Sequence, residues 1–576
     1  MNRADALEPL RRAVNAGELT RREAVQQALA AGISLVVATS ALASPSLPSR
    51  VRSTRTSPAP QRSVDYIIVG SGTAGCVLAH RLSADPQLRV LVLEAGTWPT
   101  DPAIDSPQAW PGLQGGAFDW KYQTLPQIGL DGRVLPCPRG KGFGGSSLLN
   151  ALGHQRGAGA GYDRWEALGA TGWNQSTMLA AHRRSETYSG GSNRWRGGDG
   201  PLDVLAVDPA RANPVARAFL DAALGRGFRW SADLNGEDAA EACWNQFTID
   251  GAGRRAHGAR AFLEPALARG NLQLLAEAPV ESLLIERGRC VGVRYRHQQT
   301  LTEVRAERGV IMAAGAIDTP RLLMLSGLGP ADHLREHGIA VRVDLPEVGA
   351  NLQDHPLVGG VAFEAKRAVP LSQYNHGEGM LFATVNGGSV PDVLVMSVTV
   401  PFVLPTVGTP PAQCFTLVPA LLQPRSRGHL RLASADPRTA PLIDTATLLE
   451  PADLETLTTA VEIAREVGAR KELGDWALRE VFPGPQVTTR SALREFVKRG
   501  TSPFYHPVGT ARMGQDAAAP VTPELRVRGV EGLWVADASV MPQIVPAMTN
   551  AAVVGIAERA ADLIAGPVTR RLKSGR

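Results

Sequence analysis

The chain has 576 residues, with 60 Lys and Arg against 55 Asp and Glu and a formal net charge of +5. All of that excess lies in residues 1–62, which hold nine Arg and four acids, so residues 63–576 are neutral overall. Nucleic acids and anionic membranes are bound by a clustered basic face on the folded part of a protein. The neutral body therefore predicts neither kind of partner.

The composition, with 44% hydrophobic and 20% charged residues, is typical of a globular protein. No apolar run reaches the roughly 18 residues that a membrane-spanning helix needs, so we expect no transmembrane span. A single core would exceed the usual limit of about 250 to 300 residues, and we therefore expect two large lobes. The five cysteines include no C-x-x-C pair and the histidines form no compact ligand motif, so we predict buried cysteines and no metal site.

The first 62 residues have the order of an export signal followed by a linker. Arg21 and Arg22 precede a modestly apolar stretch, residues 28–43, which ends in a small-x-small sequence of the kind that signal peptidase accepts. Residues 44–62 are rich in Ser, Pro and Arg, as linkers are. Residues 1–43 resemble a twin-arginine signal, although the bulky apolar residues that usually follow the arginine pair are missing. We expect a periplasmic or secreted protein; the alternative is an amphipathic helix on a cytoplasmic one.

A short β-rich run, residues 64–69, leads directly into a glycine-rich turn and then into a helical pattern. The glycines allow a tight turn and a close approach of backbone N–H groups to a pyrophosphate at the positive end of the helix. A second β-rich run, residues 90–93, ends at Glu94, at the spacing of an acid that accepts hydrogen bonds from an adenosine ribose. The sequence therefore predicts a dinucleotide site whose turn consists of Gly70, Ser71, Gly72, Thr73, Ala74 and Gly75.

A second loop rich in Gly and Ser, residues 139–150, offers many backbone donors and hydroxyl groups. Such a loop suits the diphosphate and ribityl chain of a long cofactor. The glycine turn alone does not distinguish NAD from FAD, because both cofactors use it. From this loop we predict cofactor contacts by Arg139, Gly144, Gly145, Ser146 and Asn150.

With this second loop, the sequence resembles the glucose-methanol-choline (GMC) oxidoreductases, an FAD-dependent family. The resemblance covers essentially residues 63–565, and several independent motifs occur in the family order. The matching stretches are residues 139–165, 315–330, 351–355, 505–510 and 535–542, followed by Asn550.

The resemblance implies an α/β fold, with a discontinuous doubly wound FAD-binding domain and a second, α+β substrate domain built on an antiparallel sheet. The expected boundaries place the FAD-binding domain at residues 63–157, 238–345 and 502–576, and the substrate domain at 158–237 and 346–501. The resemblance also implies further cofactor contacts by Ala151, Val280, Ala314, Asp537, Ala538, Asn550 and Ala551.

The resemblance assigns the chemistry to two residues. His506 falls on the catalytic histidine of the family, and Asn550 falls on a second active-site position that is either His or Asn. Oxidation of an alcohol removes the hydroxyl proton and a hydride, which flavin N5 can accept. Neutral imidazole suits the proton acceptor, and an amide can donate to the developing alkoxide. We therefore expect His506 to be the base and Asn550 the orienting donor for a small-molecule alcohol.

Other activities in this superfamily give alternatives. Some members are FAD-containing hydroxynitrile lyases, but residues 505–514 look more like choline and aliphatic alcohol dehydrogenases. A light-driven fatty-acid decarboxylase branch lacks the catalytic histidine, whereas His506 is present. The intact His506 and Asn550 pair argues against a flavoprotein without catalysis. The sequence leaves open whether the electron acceptor is oxygen, a quinone or a cytochrome, and whether the protein is a monomer or a homodimer.

Three further features affect the site. Leu149 stands where choline oxidases carry the His that bonds covalently to the flavin, so we predict non-covalent FAD. We expect Asp354 and His355 to fix a turn between the lobes rather than to catalyse. The Pro-containing segment 401–424 is loop-prone and predicts either a lid over the flavin or a surface connection. Substrate specificity is expected in residues 373–423, whose only acids, Glu378 and Asp392, disfavour a site for a quaternary ammonium group.

Overall fold

The computed structural model describes residues 63–237 and 241–565. The predicted signal and linker, residues 1–62, lie outside the described residues. Within the described ranges the chain forms two lobes, each built on its own large sheet, as its length predicts. No helix in those ranges combines the length and the apolar character needed to cross a membrane.

Eleven α-helices and 24 strands make up the described part of the chain. The helices are α1 (Thr73–Leu82), α2 (Trp110–Leu113), α3 (Gly159–Ala167), α4 (Gln175–Ser185), α5 (Pro214–Gly225), α6 (Glu264–Ala266), α7 (Gly315–Leu325), α8 (Ala331–Glu336), α9 (Pro451–Gly468), α10 (Arg490–Gly500) and α11 (Thr549–Ala565). The strands are β1 (Ser63–Val69), β2 (Val90–Leu93), β3 (Tyr122–Gln123), β4 (Pro136–Cys137), β5 (Glu186–Tyr188), β6 (Leu202–Ala206), β7 (Ala242–Trp244), β8 (Gln246–Phe247), β9 (Leu272–Leu275), β10 (Val280–Glu286), β11 (Arg289–His297), β12 (Thr300–Met312), β13 (Leu328–Gly329), β14 (Val343–Asp344), β15 (Pro356–Val358), β16 (Val361–Ala365), β17 (Gly377–Ala383), β18 (Val393–Val398), β19 (Cys414–Leu421), β20 (His429–Arg431), β21 (Leu442–Asp444), β22 (Ala477–Phe482), β23 (Thr501–Pro503) and β24 (Leu533–Val535).

The sheet of the first lobe has the strand order β10-β11-β12-β1-β2-β9, with β24 beside β12. Strand β1 lies between β12 and β2 and is parallel to both, and β9 and β24 extend the parallel part. All four residues of β2 are buried, as expected for a parallel strand covered on both faces. The glycine turn therefore leaves the carboxyl end of a central strand, where α/β sheets bind nucleotides. The predicted doubly wound first domain is confirmed.

The sheet of the second lobe is antiparallel, with the order β22-β16-β19-β18-β17-β7. Every residue of β17, β18 and β19 is buried. One set of these side chains packs with α5 and α9 in an apolar core, and the alternate set forms a separate apolar cluster that faces the first lobe. The predicted antiparallel substrate domain is confirmed, and one face of its sheet presents apolar side chains to the first lobe.

Two predictions about the second lobe differ from the structure. The segment 401–424 is not a loop throughout, because it contains the buried strand β19, which accommodates Pro419 within the sheet opposite Val395. Proline and small residues have low strand propensity, so the sequence did not indicate this strand. Burial within the sheet stabilises it. Strand β7 pairs with β17, so the chain from 242 to 244 belongs to the second sheet rather than to the first domain.

The last helix, α11, packs against α1 and α4 and is tied to both by a group of charges around the buried Glu558. Glu558 is almost fully buried and pairs with Arg81 and Arg184; Asp562 pairs with the same two arginines at 2.7 and 3.0 Å. Two carboxylates thus neutralise two guanidinium groups at a site where unpaired charge would be costly. The pairing fixes the orientation of α11, and with it the side chain of Asn550 in the first turn.

The five cysteines, Cys76, Cys137, Cys243, Cys290 and Cys414, are all buried and unpaired by disulfides, which confirms their prediction as small apolar residues.

Candidate active site

A cavity of about 290 Å³ lies between the two lobes. Its wall on one side comes from the first lobe: the glycine turn, the second Gly/Ser loop, the ends of β2 and β12, residues 278–280 at the start of β10, the start of α7, and residues 537–538. The wall on the other side comes from β15, β17, β18 and β19 and from the loop that carries His506. We call these two walls the cofactor half and the substrate half.

The glycine turn at the end of β1 requires glycine at two positions for steric reasons. Gly70 has a φ of +92°, and a Cβ atom on Gly75 would lie 2.0 Å from the carbonyl oxygen of Gly70. Only glycine allows α1 to start so close to the turn. The N-cap residue of α1, Gly72, provides no side-chain cap, so the first N–H groups of the helix are left to the cavity.

Glu94 joins the turn to the second loop. One carboxylate oxygen accepts from the backbone N–H of Ser71 at 2.9 Å and from its hydroxyl at 2.7 Å. The other accepts from the N–H groups of Gly96 and Gly142 at 2.8 and 3.0 Å. Four protein donors thus hold this buried carboxylate at the cavity wall, in addition to any contact with a ribose.

The second Gly/Ser loop touches the turn through backbone atoms alone. A Cβ atom on Gly145, whose φ is +52°, would lie 2.5 Å from the Cα atom of Gly72. The N–H of Gly144 donates to the carbonyl of Ser71 at 2.8 Å. The two loops therefore form one continuous backbone surface along the cofactor half.

Asp537 plays a similar part at the end of β24. Its Oδ2 atom accepts from the N–H of Gly315 at 2.8 Å and from the hydroxyl of Thr319 at 2.6 Å, and its Oδ1 atom accepts from Ser539. This buried carboxylate fixes the start of α7, whose N-cap residue Ala314 also provides no side-chain cap. A second helix N-terminus is thereby presented to the cavity.

The structure brings sixteen of the predicted site residues to the cavity wall and places four behind it. Ser71, Gly75, Gly144 and Ala551 lie behind the wall, where the first three shape the turn and Ala551 is buried in α11. The residues at the wall are Gly70, Gly72, Thr73, Ala74, Glu94, Arg139, Gly145, Ser146, Asn150, Ala151, Val280, Ala314, His506, Asp537, Ala538 and Asn550.

His506 lies in a loop whose backbone is held from two sides. Tyr505, the preceding residue, has a φ of +64°, and its carbonyl accepts from the guanidinium group of Arg139. The backbone N–H of His506 donates to Asp354 at 2.7 Å. A left-handed conformation at a bulky residue is strained and persists only where its surroundings impose it. The imidazole position is therefore imposed by neighbouring groups.

The ring of His506 is oriented by a second histidine. Nδ1 of His506 lies 3.0 Å from Nδ1 of His355, and Nε2 of His355 lies 3.0 Å from the carbonyl oxygen of Leu422. Because a carbonyl only accepts, His355 carries its proton on Nε2, and its Nδ1 accepts from Nδ1–H of His506. This assigns an unprotonated Nε2 to His506, and that atom has no hydrogen-bond partner within the described residues.

The surroundings keep both rings neutral. Burial, the proximity of His355 and the charge of Arg139 hold the pKa of His506 well below its usual value of 6.5. Burial lowers the pKa of His355 to about 3, although the carbonyls of Leu422 and Val545 favour its protonated form. A neutral imidazole at the cavity wall can accept a proton at physiological pH.

The amide of Asn550 is oriented by Thr73. The hydroxyl of Thr73 donates to Oδ1 of Asn550 at 2.8 Å. The amide oxygen is therefore engaged, and the Nδ2 group is left to donate into the cavity that both residues line. His506 and Asn550 thus offer one acceptor and one donor to the same space.

The cofactor half fits FAD. The N-terminus of α1 supplies N–H donors and a positive dipole for a diphosphate, and the glycine backbone lets it approach closely. At the start of α7 the first N–H is already bound by Asp537. The cavity then continues past Asn150 and Ala151 to His506, as an elongated dinucleotide requires. The residues that would hold the cofactor are those of the glycine turn, the second Gly/Ser loop and residues 537–538.

Three site residues were missed by the sequence analysis in the roles that the structure gives them. His355 was expected only to fix a turn, but its ring contacts His506 directly. Thr73 was expected at the cofactor, and it also orients Asn550. Arg255 was not predicted at all; it is fully buried and donates to the carbonyl and side chain of Asn150. No local pattern marks these contacts, because each joins segments more than 100 residues apart.

Comparisons with known proteins agree with this geometry. Family models described as GMC oxidoreductase match residues 64–357 and 424–557. An alcohol dehydrogenase [acceptor] from Pseudomonas putida is 38% identical over 87% of this chain and 95% of its own length, and human mitochondrial choline dehydrogenase is 38% identical over 87% and 89%. The crystal structure of pyridoxine 4-oxidase from Mesorbium loti superposes with a TM-score of 0.84 at 35% identity, covering 86% of this chain and 98% of its own. Formate oxidase from Aspergillus oryzae, solved in a study of FAD modification, superposes with a TM-score of 0.80 at 26% identity, covering 88% and 99%.

Proposed function

Because this chain belongs to the GMC oxidoreductase family, we propose that it oxidises the CH–OH group of an alcohol to a carbonyl, with FAD as cofactor and His506 as base. The observation that carries the proposal is the pairing of an unprotonated Nε2 of His506 with a free amide donor of Asn550 at one cavity. The relatives named as acting on alcohols support it.

The residues divide the task between them. Nε2 of His506 accepts the hydroxyl proton, while Nδ1–H continues to donate to His355 and keeps the ring in place. Nδ2 of Asn550 donates to the oxygen on which negative charge develops. The apolar side chains around the pair exclude water, which strengthens both interactions. When bound, FAD supplies the acceptor for the hydride of the alcohol carbon.

The test is anaerobic mixing of the FAD-loaded protein with a panel of primary alcohols. Bleaching of the flavin absorbance with formation of an aldehyde is the expected result. Release of cyanide from mandelonitrile without bleaching would instead identify a hydroxynitrile lyase and contradict the proposal. The same assay repeated in air, and with a quinone or a cytochrome, identifies the electron acceptor.

We also propose that FAD is held without a covalent bond. Leu149 occupies the wall of the cavity, and it offers no nucleophile to the flavin. Acid precipitation should leave the yellow colour in the supernatant. A yellow pellet that survives washing would contradict this proposal.

Export remains a proposal that rests on the sequence of residues 1–62. We propose that Arg21 and Arg22 direct the protein to the periplasm. Cell fractionation should find the native chain outside the cytoplasm and a variant with both arginines changed to lysine inside it. Equal distribution of the two would contradict export.

A further inference from the structure

We infer that the substrate is an uncharged alcohol with an apolar body, and that this site disfavours a quaternary ammonium alcohol. The inference rests on the proposed function and narrows its substrate class. It comes from the charges and hydrogen bonds of the substrate half, which differ from what a cationic substrate needs.

The substrate half is lined by one continuous apolar cluster. Its strands present thioether and branched side chains, and Phe504 stacks on the His506 ring at 4.5 Å between centroids. Such a surface binds an apolar body by removing it from water. The members of the cluster that reach the cavity are Leu357, Met380, Met396, Val398, Phe402, Val418, Phe504 and Met548.

Among the described residues, the lining contains three carboxylates, and all three belong to the cofactor half. Glu94 and Asp537 each accept four hydrogen bonds from protein donors. Asp318 pairs with Arg321 at 2.9 Å and accepts from Tyr122. A cation in the substrate half would therefore lie in an apolar site without a counter-ion, which is costly.

Acids elsewhere in the second lobe do not reach the cavity. Glu378 is buried beneath the wall, where it accepts from Asn213 at 2.6 Å and from Ser372. Asp392 accepts from the N–H groups of residues 385 and 386 in a turn. Asp354 accepts from the backbone of His506 behind the ring, and burial raises the pKa of its carboxyl to about 7. None of the three supplies a full negative charge to the space beside His506.

The positive charge of the site also opposes a cation. Arg139 lines the cavity, donates to the carbonyls of Pro138 and Tyr505, and has no carboxylate within ion-pair distance in the described part of the chain. Aromatic rings could attract a cation, but Trp110 and Phe402 pack on each other at 6.3 Å and the Phe504 ring lies on His506. The charge balance near the base therefore favours a neutral substrate.

The amides in the substrate half have little capacity for further hydroxyl groups. Asn245 donates to the carbonyl of Gly377 and accepts from the N–H of Gln246. Asn375 accepts from the N–H of Gly377 and donates to the carbonyl of Ala151. The pair of His506 and Asn550 is oriented to bind the hydroxyl group that reacts.

The decisive experiment compares choline with 3,3-dimethylbutan-1-ol, in which a carbon atom replaces the charged nitrogen of choline at nearly equal shape. Flavin reduction is followed anaerobically over a range of concentrations of each alcohol. We expect the second-order rate constant for flavin reduction by the neutral alcohol to exceed that for choline by about 100-fold or more. Only choline brings an unpaired charge into the cavity. Equal constants, or a preference for choline, would overturn the inference while leaving alcohol oxidation intact.

Failure of the proposed function has a different signature. If 3,3-dimethylbutan-1-ol, benzyl alcohol and choline all leave the flavin oxidised, alcohol oxidation itself is wrong and the inference falls with it. Reduction by either neutral alcohol with little reduction by choline supports both.

A variant pair tests the physical reason. Leu357 lies at the wall on β15, two residues after His355, so Leu357→Glu places a carboxylate in the substrate half and Leu357→Gln adds the same bulk without the charge. The Glu variant should shift the preference toward choline by about tenfold relative to the Gln variant. No shift in flavin-loaded protein would overturn the explanation by charge. If the Glu variant fails to bind FAD, the comparison of the two alcohols in the native protein still tests whether the site prefers a neutral alcohol.

Discussion

The two halves of the cavity are built in opposite ways. The cofactor half consists mainly of backbone: two glycine loops in direct contact and the starts of helices α1 and α7, with carboxylates such as Glu94 that hold the loops together. The substrate half consists of side chains from an antiparallel sheet, in one apolar cluster with a polar pair at its edge.

This difference separates cofactor binding from substrate choice. A backbone surface tolerates few residue types, because a Cβ atom at Gly145 or Gly75 would collide with main-chain atoms. An apolar wall can be rebuilt with other side chains of similar volume at modest cost. We expect variants of the first half to lose the cofactor, and variants of the second half to change the substrate.

The largest effect should come from the polar pair between the halves. His506→Ala removes the proton acceptor, and the rate constant for flavin reduction should fall by about 10²- to 10⁴-fold while FAD stays bound. Stopped-flow absorbance measures the rate, and the ratio of flavin to protein measures binding. His429→Ala, at a half-exposed position on β20 outside the cavity lining, is the matched control and should keep the native rate. Undiminished reduction in the His506 variant would exclude it as the base.

A glycine variant tests the cofactor half. Gly145→Ala places a Cβ atom 2.5 Å from the Cα of Gly72 and strains a positive φ, so affinity for FAD should fall by about tenfold or more. Gly132→Ala is the control, since its φ is +81° but no atom lies within 4 Å of the added Cβ. The control shares the backbone strain without the collision. Equal FAD content in both variants would show that the contact between the loops does not matter.

A smaller effect should follow from loosening Asn550 without removing it. Thr73→Val keeps the shape of the side chain but deletes the hydrogen bond to Oδ1 of Asn550. The deleted hydrogen bond stabilises the oriented amide by about 1 kcal/mol, so the rate constant for flavin reduction should be about fivefold lower. Thr73→Ser retains the hydroxyl and should restore most of the rate. If the valine and serine variants behave alike, the amide is oriented by other groups.

The smallest effect concerns pH. Because the pKa of His506 is held well below 6.5, the neutral base persists as the pH falls, and the rate is lost only when the pH passes the lowered pKa. Between pH 8 and 5.5 the rate of flavin reduction should therefore change by less than about twofold, whereas a base with the ordinary pKa would lose about tenfold. Asp354→Asn removes the neighbouring carboxyl that titrates at about 7 and separates its contribution. A loss that is centred near pH 6.5 and reaches about tenfold at pH 5.5 in both proteins would mean that His506 titrates normally.

The parts of the site that the sequence predicted are those in which a local stretch must adopt one backbone conformation. The turn from Gly70 to Gly75 and the loop from 139 to 150 are contiguous, so their glycines are visible in the sequence. His506 and Asn550 were assigned by the family resemblance, and the structure brings both to the cavity wall. The strand at Cys414–Leu421 was not predicted, because it contains a proline. The stabilisation from burial within the sheet exceeds the cost of that proline.

The sequence by itself determined a dinucleotide turn, a neutral body and a length that requires two lobes, because glycine spacing, charge and length can be read directly from the chain. The α/β fold was implied by the family resemblance. Only the tertiary structure decided that His355 contacts His506, that Thr73 orients Asn550, and that no carboxylate of the described substrate half faces the base. Each of those facts joins residues from distant parts of the chain. Their proximity depends on how the two sheets pack, and neither composition nor spacing records it.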